Sequence, residues 1–559
     1  MMLVSKSLIQ AEHSLMQPPK YVWWKHGVIY HIYVRSFCDS NSDGIGDLKG
    51  VISKLDYLQS LGINAIWLSP IYRSTNYDYG YDVAHYRKIA PEYGSMDDFK
   101  LLLQKCHSRN IKVIMDLVLN HTSNQHDWFL ESSSSLNNPK RDWYIWKKGN
   151  GRRPPNNWKS AFGKSAWTLD VYTGEYYYHS FLPQQPDLNW QNKELRKELF
   201  EDIKFWLDLG VDGYRLDVIN MLGKDKQFRN NPSWLGNLFI RGKYKYRSRN
   251  RSRSIKVSKK LRELLDDYDD KDRMAVGEIY TMPPGDPNLV SNYLGEKNDG
   301  LNMAFDFSLI FARWSAKGYY QSLQRWFDSI PPGSWPCNVL SNHDLLRNYN
   351  RNKWRSNKYE KAKLEAVLLL TIKGTPFIYY GEEIGQANNK QIKRKDLRDP
   401  LGKKYWPIFK GRDPARSPMQ WTSEQYAGFS DTKPWLPINK DRIELANVAA
   451  QEKEQYSMLN LYKRLLKIRE RTPALWAGDW TAVDKGENGI LSYTRILNNN
   501  EVFVILNFSK QTNWYHLQPK HDYELIFSIV QPKLVKKQVG EKVRLRPYDS
   551  LIFIKKQSN

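Results

Sequence analysis

Between Gly27 and Tyr380, short runs of consecutive apolar residues alternate with longer segments in which apolar positions return every three or four residues. The first pattern is that of strands buried on both faces, and the second that of amphipathic helices. The runs Gly27 to Val34, Ile63 to Pro70, Ile111 to Val118, Val211 to Asp217, Arg273 to Glu278, Leu301 to Phe307, Cys337 to Leu340 and Thr375 to Tyr380 predict eight strands. Helices are predicted over Leu48 to Leu61, Met96 to Arg109, Lys193 to Leu209 and, past the last strand and a loop-rich stretch from Arg398 to Asp441, Tyr456 to Arg471.

Eight strands in βα alternation predict a (β/α)8 TIM barrel rather than an open sheet. About ninety residues rich in Trp, Asn, Pro and Gly separate the third strand from the fourth, which predicts an inserted subdomain. From Leu475 the pattern changes to short strands without helices (Ile490 to Ile496, Val502 to Phe508, Tyr523 to Phe527, Ser550 to Ile554), the signature of an antiparallel β-sandwich. The expected partition is a barrel over 21–121 and 187–474, an insert over 122–186 and a C-terminal domain over 475–559.

The 559 residues carry 85 Lys and Arg against 60 Asp and Glu, a net charge of +25. The densest basic run, Arg241 to Lys260, holds ten Lys or Arg in twenty positions. No helix-turn-helix, zinc or RNA-recognition signature accompanies it, so it is read as a basic barrel loop and no nucleic acid partner is expected. Three scattered cysteines (Cys38, Cys106, Cys337) argue against a disulfide framework. No apolar run approaches the ~20 residues that span a bilayer, and no leader pattern opens the chain. The expectation is a cytoplasmic protein, off the membrane, a monomer or a weak homo-oligomer.

Four of the predicted strands end in charged or histidine side chains: Asp116 to His121 (DLVLNH), Gly213 to Val218 (GYRLDV), Val276 to Tyr280 (VGEIY) and Ser341 to Asp344 (SNHD). In a closed barrel these ends share one mouth, the face where such folds place chemistry. Asp217 and Glu278 on adjacent strands suit retaining glycoside hydrolysis, one carboxylate attacking and the other moving the proton, at a separation of about 5 Å. Arg215, two residues before Asp217, points to the same face and is expected to keep Asp217 ionised. Asp344 adds a second negative charge, and His121 and His343 can hydrogen-bond sugar hydroxyls.

These four segments resemble the signature regions of the α-amylase superfamily (glycoside hydrolase family 13). Gln185 to Asn189 (QPDLN) resembles the insert motif of its oligo-1,6-glucosidase and α-glucosidase branch. The resemblance implies a retaining, exo-acting α-glucosidase that takes small α-glucosides, with Asp217 as nucleophile, Glu278 as acid/base and Asp344 as transition-state stabiliser. It implies a terminal-sugar pocket of Asp78, Tyr81, His121, Phe162, Arg215, His343 and Arg416, with Tyr81 beneath the sugar ring and an Asp78–Arg416 pair closing the far end. It also implies calcium, or sometimes magnesium, bound structurally in the loop Asp39 to Asp47 by Asp39, Asn41, Asp43, Asp47 and the Ile45 carbonyl. Oxygen groups at alternate positions there suit a hard divalent ion.

Val218, directly after Asp217, resembles oligo-1,6-glucosidases, sucrases and isomerases, whereas Val276 to Tyr280 resembles α-glucosidases acting on maltose or sucrose. The linkage stays open. A glucosyl-transferring isomerase of the same family is the alternative activity, although the Arg-Leu-Asp-Arg-Asp segment common in sucrose isomerases is absent. A non-catalytic interaction protein of this fold is a remote alternative, since the carboxylate triad is intact.

Overall fold

The computed structural model describes residues 19–231, 247–268, 272–281, 285–353, 356–517, 523–531, 535 and 541–555. Eight parallel strands close a barrel: β1 (Ile29–Ile32), β2 (Ala65–Leu68), β3 (Lys112–Val118), β4 (Gly213–Asp217), β5 (Met274–Glu278), β6 (Met303–Phe305), β7 (Cys337–Val339) and β8 (Thr375–Tyr379). They follow one another round the ring in chain order, and β8 returns to β1 with Ile29 opposite Phe377. The observed strands are shorter than the apolar runs, most of all β6. The remaining apolar residues lie at the strand ends, buried in loops.

Side-chain parity divides each strand between two cores. Ile29, Ile114, Met274, Val276, Met303, Phe305, Cys337 and Phe377 fill the barrel interior, whereas Tyr30, Val113, Met115, Tyr214, Leu216 and Ala275 pack outward among the helices. The interior set continues, two residues at a time, to Asp116 on β3, Arg215 and Asp217 on β4 and Glu278 on β5. The apolar layers therefore form the floor under a polar mouth.

The outer ring comprises α1 (Leu48–Ser53), α2 (Leu55–Leu61), α3 (Met96–His107), α4 (Lys193–Leu209), α5 (Ser252–Asp266), α6 (Ala316–Ser329), α7 (Lys358–Thr371) and α8 (Met458–Arg471). The single helix expected over Leu48 to Leu61 is broken at Lys54, whose backbone leaves the helical region, and the second half then buries Leu55, Leu58 and Leu61. Helix α4 begins where the Asn192 side chain accepts from Leu195 N and ends at Gly210, whose φ of 110° suits glycine. The basic run is not all loop: α5 takes up its second half, and 241–246 lie outside the described residues.

The insert after β3 carries a three-stranded sheet (Trp146–Lys147, Trp167–Leu169, Tyr176–Tyr178) around its own core of Ile145, Trp158, Trp167, Tyr176 and Tyr178. Beyond α8 lie β9 (Asp479–Lys485), β10 (Ile490–Leu497), β11 (Asn500–Asn507), β12 (Asn513–His516), β13 (Tyr523–Ser528), β14 (Lys542–Leu545) and β15 (Ser550–Lys555). Five of them form an antiparallel sheet in the order β9-β10-β11-β15-β13, and β12 pairs with β14 across the second core. Among the described residues no helix is long and apolar enough to cross a membrane.

The buried Arg495 on β10 ties this domain to the barrel. It donates to Thr371 O at the end of α7 (2.7 Å), to Leu475 O (2.8 Å) and to Gly478 O (2.7 Å). Arg495→Met removes the donors and leaves buried carbonyls unpaired, so it should lower unfolding free energy by roughly 3 kcal/mol. A urea titration with an unchanged midpoint would show that the junction does not depend on this residue.

Candidate active site

Arg215 stands at the centre of the barrel mouth. Its Nη1 donates to Asp116 Oδ1 (2.7 Å) and Asp217 Oδ1 (2.8 Å), and its Nη2 to Glu278 Oε2 (2.5 Å). Side-chain burial is nearly complete for all four. One planar fork holding Asp217 and Glu278 keeps the two carboxyls on the order of 5 Å apart. Val218 N donates to Glu278 Oε2 as well (3.3 Å), from a left-handed backbone (φ 36°, ψ 43°) that a β-branched residue adopts only under strain.

One positive charge cannot neutralise three carboxylates. Burial pushes the Asp217 pKa well up; Arg215 opposes it, and Glu278 and Asp116 add to it. Burial likewise raises Glu278, against Arg215 and with Asp344, and raises Asp116 to about 6. Arg215 was expected to keep Asp217 ionised, and it does act in that direction, but burial and the neighbouring carboxylates oppose it. The guanidinium is shared, and the cluster retains protons beyond the usual carboxylate range.

Asp344 differs. Its side chain is 31% exposed, and Arg416 Nη2 (2.9 Å) and Arg412 Nη1 (3.3 Å) both donate to its Oδ1. Burial acts upward, but His343 and the two arginines hold Asp344 well below the ordinary range. Burial pushes His343 itself down to about 3, so near neutrality the arginines are the charges that matter.

The pocket wall is built from loops. Tyr81 OH donates to Asp116 Oδ2 (3.0 Å) and pairs with His343 Nε2 (2.7 Å), and its ring lies parallel to that imidazole at 5.4 Å. His121 Nε2 donates to Tyr81 O (2.9 Å), and Gln185 Nε2 reaches His121 (3.1 Å) and Asp78 Oδ2 (3.4 Å). The QPDLN segment thus braces the wall, with Asp187 paired to Lys224 at 2.8 Å. Phe162 lies in the insert, where it is buried and its carbonyl accepts from Lys404 Nζ.

The expected Asp78–Arg416 pair is replaced by Asp78–Arg412, at 2.5 Å. A short turn over Asp413–Ala415 separates the two arginines, sending Arg412 to Asp78 and Asp399 and leaving Arg416 on Asp344 and His343 O. Arg412 and Asp116 were both missed. Arg412 is a second arginine four residues before the one chosen, and Asp116 opens the first strand-end segment with inward parity.

In the loop Asp39 to Asp47, the donor types fit a hard cation: three carboxylates and one amide oxygen. As folded, they serve the loop itself. Asp39 accepts from Asn41 N, Ser42 N and Gly44 N, Asp43 from Ile45 N, and Asp47 from Ser40 N and Gly50 N, where it caps α1. Among the described residues no three acidic, His or Cys side chains are grouped to hold a metal.

The family model of the alpha amylase catalytic domain matches residues 31–478. Oligo-1,6-glucosidase of Parageobacillus thermoglucosidasius is 38% identical over 95% of this chain and 99% of its own length. A probable alpha-glucosidase of Rhizobium meliloti is 39% identical over 89% and 91%. Among solved structures, the alpha-glucosyl transfer enzyme XgtA (35% identical) and the trehalulose synthase MutB of Pseudomonas mesoacidophila (34%) each superpose with a TM-score of 0.87, over 96% of this chain and all of theirs. The chain is a glycoside hydrolase and belongs to the alpha-amylase family.

Proposed function

We propose that this protein is an exo-acting, retaining α-glucosidase that releases terminal non-reducing glucose from short α-glucosides. The observation that carries the reading is the pair of carboxyls, Asp217 and Glu278, on one guanidinium at the barrel mouth. Asp217 attacks the anomeric carbon as the bond to the leaving oxygen breaks, and that oxygen takes the Glu278 proton. Glu278, now a carboxylate, removes a proton from water. The water oxygen displaces Asp217, which restores both groups. Asp344, held ionised, faces the positive charge that develops between these steps. The Asp78–Arg412 ion pair supports exo action, since a pair closing the far end would leave room for a single terminal sugar.

The likeness to MutB, named a trehalulose synthase, favours one second reading: transfer of the glucosyl unit to a retained sugar rather than to water. A product profile on maltose, isomaltose, sucrose and trehalose separates them, since free glucose means hydrolysis and a new disaccharide means isomerisation. Asp217→Asn should lower turnover by roughly four orders of magnitude or more with the fold intact by circular dichroism. Near-normal turnover in that variant would remove Asp217 from the role.

We also propose that Asp39, Asn41, Asp43, Asp47 and the Ile45 carbonyl take Ca2+, or Mg2+, as a structural ion away from the sugar. The oxygen-only composition supports it. Binding must replace hydrogen bonds that the loop now makes, so the expected gain is modest. Millimolar calcium should raise the melting midpoint by a few degrees, reversed by chelator, with turnover per folded molecule unchanged. Superimposable melting curves with calcium and with chelator would exclude the ion.

A further inference from the structure

The basic run is not absorbed by the reaction described so far, and part of it is hydrogen-bonded to the segments that follow Asp217 and Glu278. Asn250 N donates to Asn220 O (2.8 Å), and Asn220 Nδ2 donates both to Asn250 Oδ1 (2.9 Å) and to Tyr280 O (3.1 Å). Asn220 is three residues past Asp217, and Tyr280 is two past Glu278. The segment around Arg249 is thereby fixed against the elements that follow both carboxylates, on the side from which Glu278 would protonate a leaving oxygen.

Arg249 is 6% exposed, and its Nη1 is buried with no hydrogen-bond partner. Among the described residues it forms no ion pair. The titratable groups that face it are the neutral phenols of Tyr178 and Tyr280 and the Lys224 ammonium, itself paired with Asp187, and burial holds the Arg249 pKa below the usual guanidinium range. Two carboxylates of this region are already committed elsewhere: Asp225 to Arg229 (2.7 Å), Arg247 (3.5 Å) and Arg251 (3.8 Å), and Asp187 to Lys224 (2.8 Å). A neighbouring cleft of about 460 Å³ adds Lys226, Arg253 and Lys256 to its lining. A buried, unpaired guanidinium is costly unless a partner arrives, and a ligand oxyanion meets its planar fork.

We infer that the leaving-group side of the pocket binds an oxyanion, a phosphate or carboxylate carried by the sugar or alcohol released, and that Arg249 is the residue that receives it. The inference rests on the α-glucosidase reading and specifies its substrates: α-glucosides of an acidic aglycone, with the surrounding cations steering them in. Binding then places the scissile oxygen by Glu278, because Asn250, next to Arg249, is tied through Asn220 to the Tyr280 carbonyl two residues past Glu278.

The test compares three substrates of one linkage: α-glucosyl glycerol, its phosphate monoester and α-glucosyl glycerate. Wild-type kcat/KM should be at least ten-fold higher for one or both anions than for the neutral compound, and which anion leads tells phosphate from carboxylate. Arg249→Gln should cut that preference at least ten-fold. Hydrolysis of all three at equal kcat/KM would overturn the inference while leaving the glucosidase reading intact, and so would an equal loss on all three in Arg249→Gln. Should none be turned over, calorimetric titration with glycerol phosphate decides. Binding weakened ten-fold or more by Arg249→Gln supports the oxyanion site; no binding, or equal binding, contradicts it.

Discussion

A single guanidinium facing three buried carboxylates is the constraint on which the rest of this site depends. Arg215 cannot leave without exposing three uncompensated acids to one another, and it cannot satisfy all of them at once. The surplus negative charge is met by retained protons. Crowding three carboxyls on one guanidinium raises the proton affinity of the group as a whole, the condition a general acid of this kind needs. Asp344 escapes the arrangement because two arginines reach it, Arg416 and the Arg412 that it shares with Asp78 and Asp399.

Barrel closure is what permits such crowding. Each carboxylate arrives on a different strand, and the apolar layers beneath (Ile114, Val276, Phe305, Phe377) give the side chains no room to retreat from Arg215. The loops then narrow what the mouth admits. The hairpin of Tyr72–Ser74 and Val83–Ile89 that bears Asp78 and Tyr81, the insert bearing Gln185 and the segment bearing Arg412 come from three distant parts of the chain, and hydrogen bonds lock them into one wall.

The barrel was legible because its information is local: buried strands are apolar runs, and inward parity carried Arg215, Asp217 and Glu278 to one mouth before any contact was known. What resisted reading was non-local. Whether Arg412 or Arg416 meets Asp78 depends on a turn and on a hairpin more than 300 residues away in sequence. Asp116 looked like the end of a strand, and its importance comes only from sharing Arg215. The break at Lys54 and the strands β9, β12 and β14 were also hidden. Exposed strands with alternating polar residues leave a weak pattern, and a one-residue kink leaves almost none.

The central claim, that Asp116 and Glu278 compete for one guanidinium, is tested most directly by the pH dependence of kcat/KM in Asp116→Asn beside the wild type. Removing one of the three carboxylates leaves more of the Arg215 charge to Asp217 and Glu278, so the Glu278 pKa must fall. The account predicts that the alkaline limb, where the acid form of Glu278 is lost, moves to lower pH in the variant. An alkaline limb that stays in place, or moves upward, would contradict it.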